Sequence, residues 1–164
     1  MVKLIATFLI LLCLNILTKA DSISVLNNHI YPSVVGTDRG VWLIEIGSKM
    51  CGGCQEFYPE FKKFANSFNH IKHGVIYVED DDSMKLINRF KGVMDKGLPA
   101  LILIDQQDPY KFKQLMFGNV LKESELRKIV VPLVKDLKMV TGLYQRVPTK
   151  KGNDGKQGVK SEEL

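Results

Sequence analysis

Apolar positions along this chain change period several times. Residues 4–17 run almost unbroken, interrupted by Thr7 and Asn15. Residues 41–46 form a compact apolar run of strand length. Phe57, Phe61, Phe64, Ala65 and Phe68 then recur at the spacing of one helix face, predicting a helix over 54–68. Residues 22–26, 75–78 and 98–104 read as further strands, and 112–117 as an edge strand after a turn at 106–109. Asp82 or Ser83 suits the cap of a short helix reaching Phe90. Leu126, Ile129, Val130, Leu133, Val134 and Leu137 predict a last helix, which Pro132 should kink because proline carries no N–H. Strands interleaved with helices predict an α/β fold, a mixed sheet flanked by helices in a single domain.

The first twenty residues change the picture. Lys3 gives a positive start, the apolar run is shorter than the roughly 20 residues a membrane helix needs, and Thr18-Lys19-Ala20 offers small residues for cleavage. Residues 1–20 are therefore expected to be a secretory signal peptide, 21–140 the folded domain, and 141–164 a flexible basic tail. No later segment is apolar enough to span a bilayer, so no stable membrane insertion is expected. The formal charge of +5 falls to +3 without Lys3 and Lys19, and the tail carries +2 of that. A nearly neutral domain without a basic face argues against nucleic acid as a partner.

Cysteine usage carries the chemistry. Cys13 lies in the signal, which leaves Cys51 and Cys54 alone in one C-x-x-C motif, where a strand ends and a helix begins. A secreted domain stapled by disulfides would spread several cysteines along its length. A helix N-terminus stabilises a thiolate, so Cys51 is the expected nucleophile and Cys54 the resolving thiol. Gly52 and Gly53 leave room for a bulky protein disulfide. Two other readings stay open. One is a structural disulfide, although so short a loop removes little chain entropy. The other is a zinc site with His70 and His73, whose spacing suits a zinc finger poorly.

Residues from about 40 to 137 resemble the thioredoxin fold, in particular the catalytic domain of protein disulfide isomerases. The resemblance rests on Glu45, six positions before Cys51; on Pro59, five after Cys54; on Gly97-Leu98-Pro99; and on the C-terminal Ser161-Glu162-Glu163-Leu164, which is similar to the Lys-Asp-Glu-Leu retrieval signal. It implies a thiol–disulfide oxidoreductase of the endoplasmic reticulum lumen. Glu45 would relay protons to the inner thiol. Pro99 would be a cis proline that, with Leu98, offers backbone to substrate. Client proteins with thiols or disulfides would be the partners, with glutathione or a lumenal oxidase as redox partner, and neither metal nor organic cofactor would be needed.

The sequence also departs from that family. Met50 stands where the family has tryptophan, Gly-Gly replaces Gly-His between the cysteines, and Ala100 replaces a polar residue. Two extra residues lie between Val93 and Gly97. Leu121 and Lys122 fall near the place of an arginine that tunes the inner thiol. Without the histidine, the site should be more reducing than the standard isomerase, at about −180 mV. Two rival functions remain, a non-catalytic chaperone or binding module using the surface around Pro99 and Tyr58, and a reductase dedicated to one client.

Overall fold

The computed structural model describes residues 22–148. The expected signal peptide, residues 1–20, and the C-terminal Ser161-Glu162-Glu163-Leu164 lie outside them. Five strands build the main sheet: β1 (Ile23–Val25), β2 (Trp42–Gly47), β3 (Lys72–Tyr77), β4 (Ala100–Ile104) and β5 (Lys113–Phe117). Their spatial order is β1-β3-β2-β4-β5. β1, β3 and β2 run parallel, β4 pairs antiparallel with β2 and the edge strand β5 antiparallel with β4, and Glu45 lies opposite Leu101 and Val75. Three helices cover the sheet: α1 (Gly52–Ser67), α2 (Asp81–Ile87) and α3 (Glu123–Val134).

Both faces of β2 and β4 are buried, which explains why these strands read as continuous apolar runs. Strand alternation then divides the core in two. Leu43, Val75, Leu101 and Leu103 meet Phe57, Phe61 and Phe64 of α1 and Leu126, Val130 and Val134 of α3. Trp42, Ile44, Ile46, Ile102 and Ile104 face the other way, onto Leu86, Phe90 and the Tyr31–Val35 segment. Glu45 shares the parity of Leu43, so it points beneath α1.

Several boundaries differ from the expectations. Asp80, not Asp82 or Ser83, caps α2 by accepting the Asp82 N–H, and Ser83 turns inward to donate to Asp80. α3 starts three residues early, where Glu125 accepts the Lys122 N–H at 2.8 Å, and ends at Val134, just past Pro132. β3 begins at Lys72 because His73 and Gly74 are core positions; a Cβ on Gly74 would stand 2.5 Å from Leu26 Cδ1.

The expected flexible tail also needs correction over its first residues. Met139–Val140 and Leu143–Tyr144 pair as a hairpin, β6–β7, and Arg146 is buried against the domain. Its Nε donates to the Gly40 carbonyl and its Nη2 to that of Val35, both at 2.7 Å. Packed chain therefore continues beyond residue 140. Among the described residues no helix is long and apolar enough to cross a membrane.

Candidate functional site

The two cysteines occupy unequal positions on one helical turn. β2 ends at Gly47, and the chain turns through Ser48 to Met50 before α1. Glu79, just past β3, anchors that turn by accepting from the Ser48 hydroxyl and the Lys49 N–H. Cys51 is the N-cap of α1, with extended backbone (φ −90°, ψ 119°), so its sulfur lies outside the first turn and accepts the Cys54 N–H at 3.2 Å. The pair is joined as a disulfide, with Cα atoms 5.2 Å apart. Cys51 is half-buried, whereas Cys54 is only 4% exposed. An accepted N–H and the positive end of a helix both stabilise charge on the outer sulfur. That asymmetry suits Cys51 to attack, or to leave, as a thiolate.

Glu45 lies directly below. It is 2% exposed, and its Oε2 has no hydrogen-bond partner. Burial pushes its carboxyl up to about 8, so it is a neutral acid at pH 7. Gly47, two residues on and of the same parity, is what joins acid and thiol. A Cβ there would stand 3.1 Å from Glu45 Oε1 and 3.7 Å from Cys54 Sγ. The space it leaves belongs to a cleft of about 310 Å³ lined by Glu45, Gly47, Cys54, Tyr58, Pro59 and Tyr77, with Ser48, Lys49 and Gln55 at its rim. The Lys49 ammonium sits 5.0 Å from the centre of the Tyr77 ring. Burial, with Tyr58 and Glu45 nearby, pushes the Tyr77 phenol up to about 12.

The opposite flank is built by the loop before β4. The Leu98–Pro99 peptide is cis, and Gly97 before it has φ +95°, a conformation that favours glycine. A Cβ on Gly53 would lie 3.5 Å from Pro99 Cδ and 3.9 Å from Val120 Cγ2, so Gly53 faces the proline across van der Waals distance. Gly52 has nothing within 4 Å of its Cβ position and faces open space. Leu98 is half-buried, and Met50 is 87% exposed next to the disulfide. The structure thus gathers Cys51, Cys54, Glu45, Gly52, Gly53, Leu98 and Pro99 at one end of the sheet. Gly47 and Val120 belong there too and escaped the sequence reading. Strand parity with Glu45 could have found Gly47, whereas nothing in the aperiodic 118–122 loop flags Val120.

The histidines engage elsewhere. His70 Nδ1 contacts the Gly142 carbonyl at 3.0 Å. His73 lies in β3, with its ring edge-on to Phe61 and Phe64 and its Nε2 unpartnered. Burial lowers its imidazole to about 4. Among the described residues no three His, Cys, Asp or Glu side chains cluster as a metal would require. Lys122, near the place of the tuning arginine, serves instead as the N-cap residue of α3, and Leu121 packs on the core.

Residues 22–130 match the thioredoxin family model. Over 83 residues, 51% of the chain, it is 34% identical to a probable protein disulfide-isomerase A6 of Medicago sativa. Over 107 residues, 63% of the chain, it is 22% identical to the protein disulfide isomerase-like 2-3 of Oryza sativa subsp. japonica. It spans 22% and 23% of the length of those two relatives. Among solved structures, the Trx4 domain of ERdj5 superposes with a TM-score of 0.56 at 16% identity, covering 71% of this chain and 99% of that domain.

Proposed function

The chain belongs to the thioredoxin family, and from that premise we propose that it is a thiol–disulfide oxidoreductase of the protein disulfide isomerase type, acting on cysteines of client proteins in the endoplasmic reticulum lumen. The observation that carries this reading is the pairing of an accessible sulfur, held at a helix N-terminus, with a buried one beside an unpartnered carboxyl. In the reducing direction the Cys51 thiolate attacks a client disulfide and expels one client thiolate. Cys54 then attacks the Cys51 sulfur, closes the Cys51–Cys54 bond and releases the second client thiolate. In the oxidising direction a client thiolate bonds to the Cys51 sulfur as the Cys51–Cys54 bond breaks and the electron pair leaves on Cys54; a second client thiolate then attacks the client sulfur of that mixed disulfide, forms the client disulfide and releases Cys51 as a thiolate. Glu45, protonated at pH 7, supplies the proton that the emerging Cys54 thiolate takes up. Gly52, Gly53, Leu98 and Pro99 leave the outer sulfur open to an extended client segment. The lumenal location rests on the leader-like residues 1–20 and on the last four residues.

The test is reduction of insulin and refolding of scrambled ribonuclease by the full chain and its cysteine variants. We expect catalysis by the wild type, background rates for Cys51→Ser, and a trapped client mixed disulfide on Cys51 in Cys54→Ser. Weak turnover of both substrates together with tight turnover of one native client would indicate the dedicated reductase. A second reading, the chaperone module, draws on the exposed apolar side chains of Met50, Phe117 and Val120 around Pro99. It requires that Cys51→Ser suppress client aggregation as well as the wild type while neither turns over thiols.

A further inference from the structure

Residues 79–82 are consecutive acids, Glu79, Asp80, Asp81 and Asp82, and the fold gives them separate tasks. Asp80 caps α2, and Asp82 pairs with His29 and Lys85. Glu79 instead reaches the turn that leads into the cysteines. One oxygen, Oε1, accepts from the Ser48 hydroxyl at 2.6 Å and from the Lys49 N–H at 2.5 Å. Ser48 Oγ in turn accepts the Met50 N–H at 3.0 Å, and the Ser48 carbonyl accepts the Cys51 N–H at 3.3 Å. From the helix side the Gln55 amide donates to the Lys49 carbonyl at 2.6 Å. The N–H groups of residues 49, 50 and 51 are thus all bonded within this turn. A hydroxyl that donates to a carboxylate is also a stronger acceptor, which tightens the bond to Met50. The Ser48 hydroxyl holds the Glu79 carboxyl below the usual carboxylate range, so the acceptor is ionised at pH 7. The Glu79 side chain is exposed, so its place in the core is not what recommends it.

We propose that Glu79 is a positioning residue for the exchange: directly and through Ser48, it fixes the turn that holds the Cys51 sulfur against Cys54 and the start of α1. This rests on the oxidoreductase reading above. Cys51 is the N-cap, so the helix restrains it from one side only. Its carbonyl accepts the Gln55 N–H at 3.0 Å, whereas its N–H side is set by the turn. In the oxidised protein the Cys51–Cys54 bond restrains that turn as well. In the dithiol this restraint is gone, and the Glu79 oxygen takes its place. Two effects follow. Less conformational freedom is lost when the disulfide closes, so each thiol sees the other at a higher effective concentration. The Cys51 thiolate also stays on the Cys54 N–H and the helix terminus, which keep it ionised. The bonds made and broken are those of the exchange already written. Glu79 acts through the turn and takes no proton in that exchange.

The test compares two uncharged replacements in the full chain, so that loss of the carboxylate charge affects both alike. Glu79→Gln keeps one oxygen that can accept both bonds, and Glu79→Ala removes it. The Cys51–Cys54 couple is titrated in glutathione buffers, and alkylation of Cys51 is timed against pH with Cys54→Ser added to each. We expect the alanine variant to close its disulfide about tenfold less favourably than the glutamine variant, a midpoint about 30 mV less negative. Its Cys51 should alkylate about threefold more slowly near pH 6, where the thiolate is the minor form. Ser48→Ala keeps the carboxylate and its bond to Lys49 but cuts the link to Met50. It should move both readouts in the same direction, by less, relative to the wild type. A general loss of stability would move neither the potential nor the pH profile of the folded protein. Equal midpoints and profiles for Glu79→Ala and Glu79→Gln overturn the positioning role and leave the oxidoreductase reading standing. If Glu79→Ala does not fold, a Ser48→Ala chain that matches the wild type in both readouts overturns it instead. If even the wild-type couple does not titrate, both readings fail.

Discussion

At the scale of single residues, two buried ionisable groups should shape stability against pH. Glu45 has a folded pKa raised to about 8, above its ordinary 4.5. Between those values the folded state holds a proton that the unfolded state has lost, so its contribution is complete below about pH 4.5 and is lost as pH rises towards 8. At pH 7 the cost is about 3 kcal/mol. His73 has the opposite sign. Its folded pKa is lowered to about 4 from 6.5, so stability is full above about 6.5 and falls as pH drops towards 4. The two slopes cancel between about pH 4.5 and 6.5 and leave a net loss from 6.5 to 8. Urea unfolding of the oxidised protein should show that plateau and decline. Glu45→Gln should remove the decline, raising stability at pH 7 by about 2–3 kcal/mol while leaving pH 4 unchanged. A wild type and a Glu45→Gln variant with parallel pH profiles would contradict the buried neutral acid. Glu45 was legible in the sequence only through the resemblance, which places a buried acid six positions before the first cysteine. The role of His73 was not, since a polar letter beside Lys72 and Gly74 does not show that aromatic rings surround it.

At the scale of elements, the N-terminus of α1 carries both fold and chemistry. Serine and alanine at position 51 each abolish the disulfide, but serine can still accept the Cys54 N–H. Cys51→Ser should therefore be more stable than Cys51→Ala by about 1 kcal/mol in thermal unfolding. Equal stabilities would show that the cap contributes nothing. The face of α1 was readable from the spacing of its phenylalanines, and β2 and β4 from their unbroken apolar runs, because burial on both sides leaves no polar alternation to obscure them. The hairpin β6–β7 was not readable. Two-residue strands have no period, and the segment is held by the Arg146 guanidinium on two backbone carbonyls and by Tyr144 against Phe68 and His70. Arg146→Ala leaves those carbonyls without a donor and should cost about 2–3 kcal/mol. A chain ended at Val140 should unfold at a lower temperature than one ended at Pro148. If both melt together, the hairpin adds nothing to the domain.

At the scale of the whole molecule, the sheet and its helices bring to one end every residue that the sequence singled out for thiol chemistry. The fold was legible because each local pattern agreed with the α/β layering. What sequence could not show was the space between the residues. Gly47 looks like a strand end, yet its missing side chain joins Glu45 to Cys54 and opens the cleft. The redox balance also belongs to this scale. The helix N-terminus favours the Cys51 thiolate, while Gly52 and Gly53 supply no cation to strengthen that effect.

The most direct test of a working Cys51–Cys54 couple is its redox equilibrium. The full chain would be equilibrated in glutathione buffers, trapped with alkylating reagent and weighed. We expect one reversible two-electron transition, with a midpoint below about −180 mV and above about −300 mV. A disulfide that stays closed far below about −300 mV, or two thiols that never pair, would contradict redox function and leave the cysteines structural or idle.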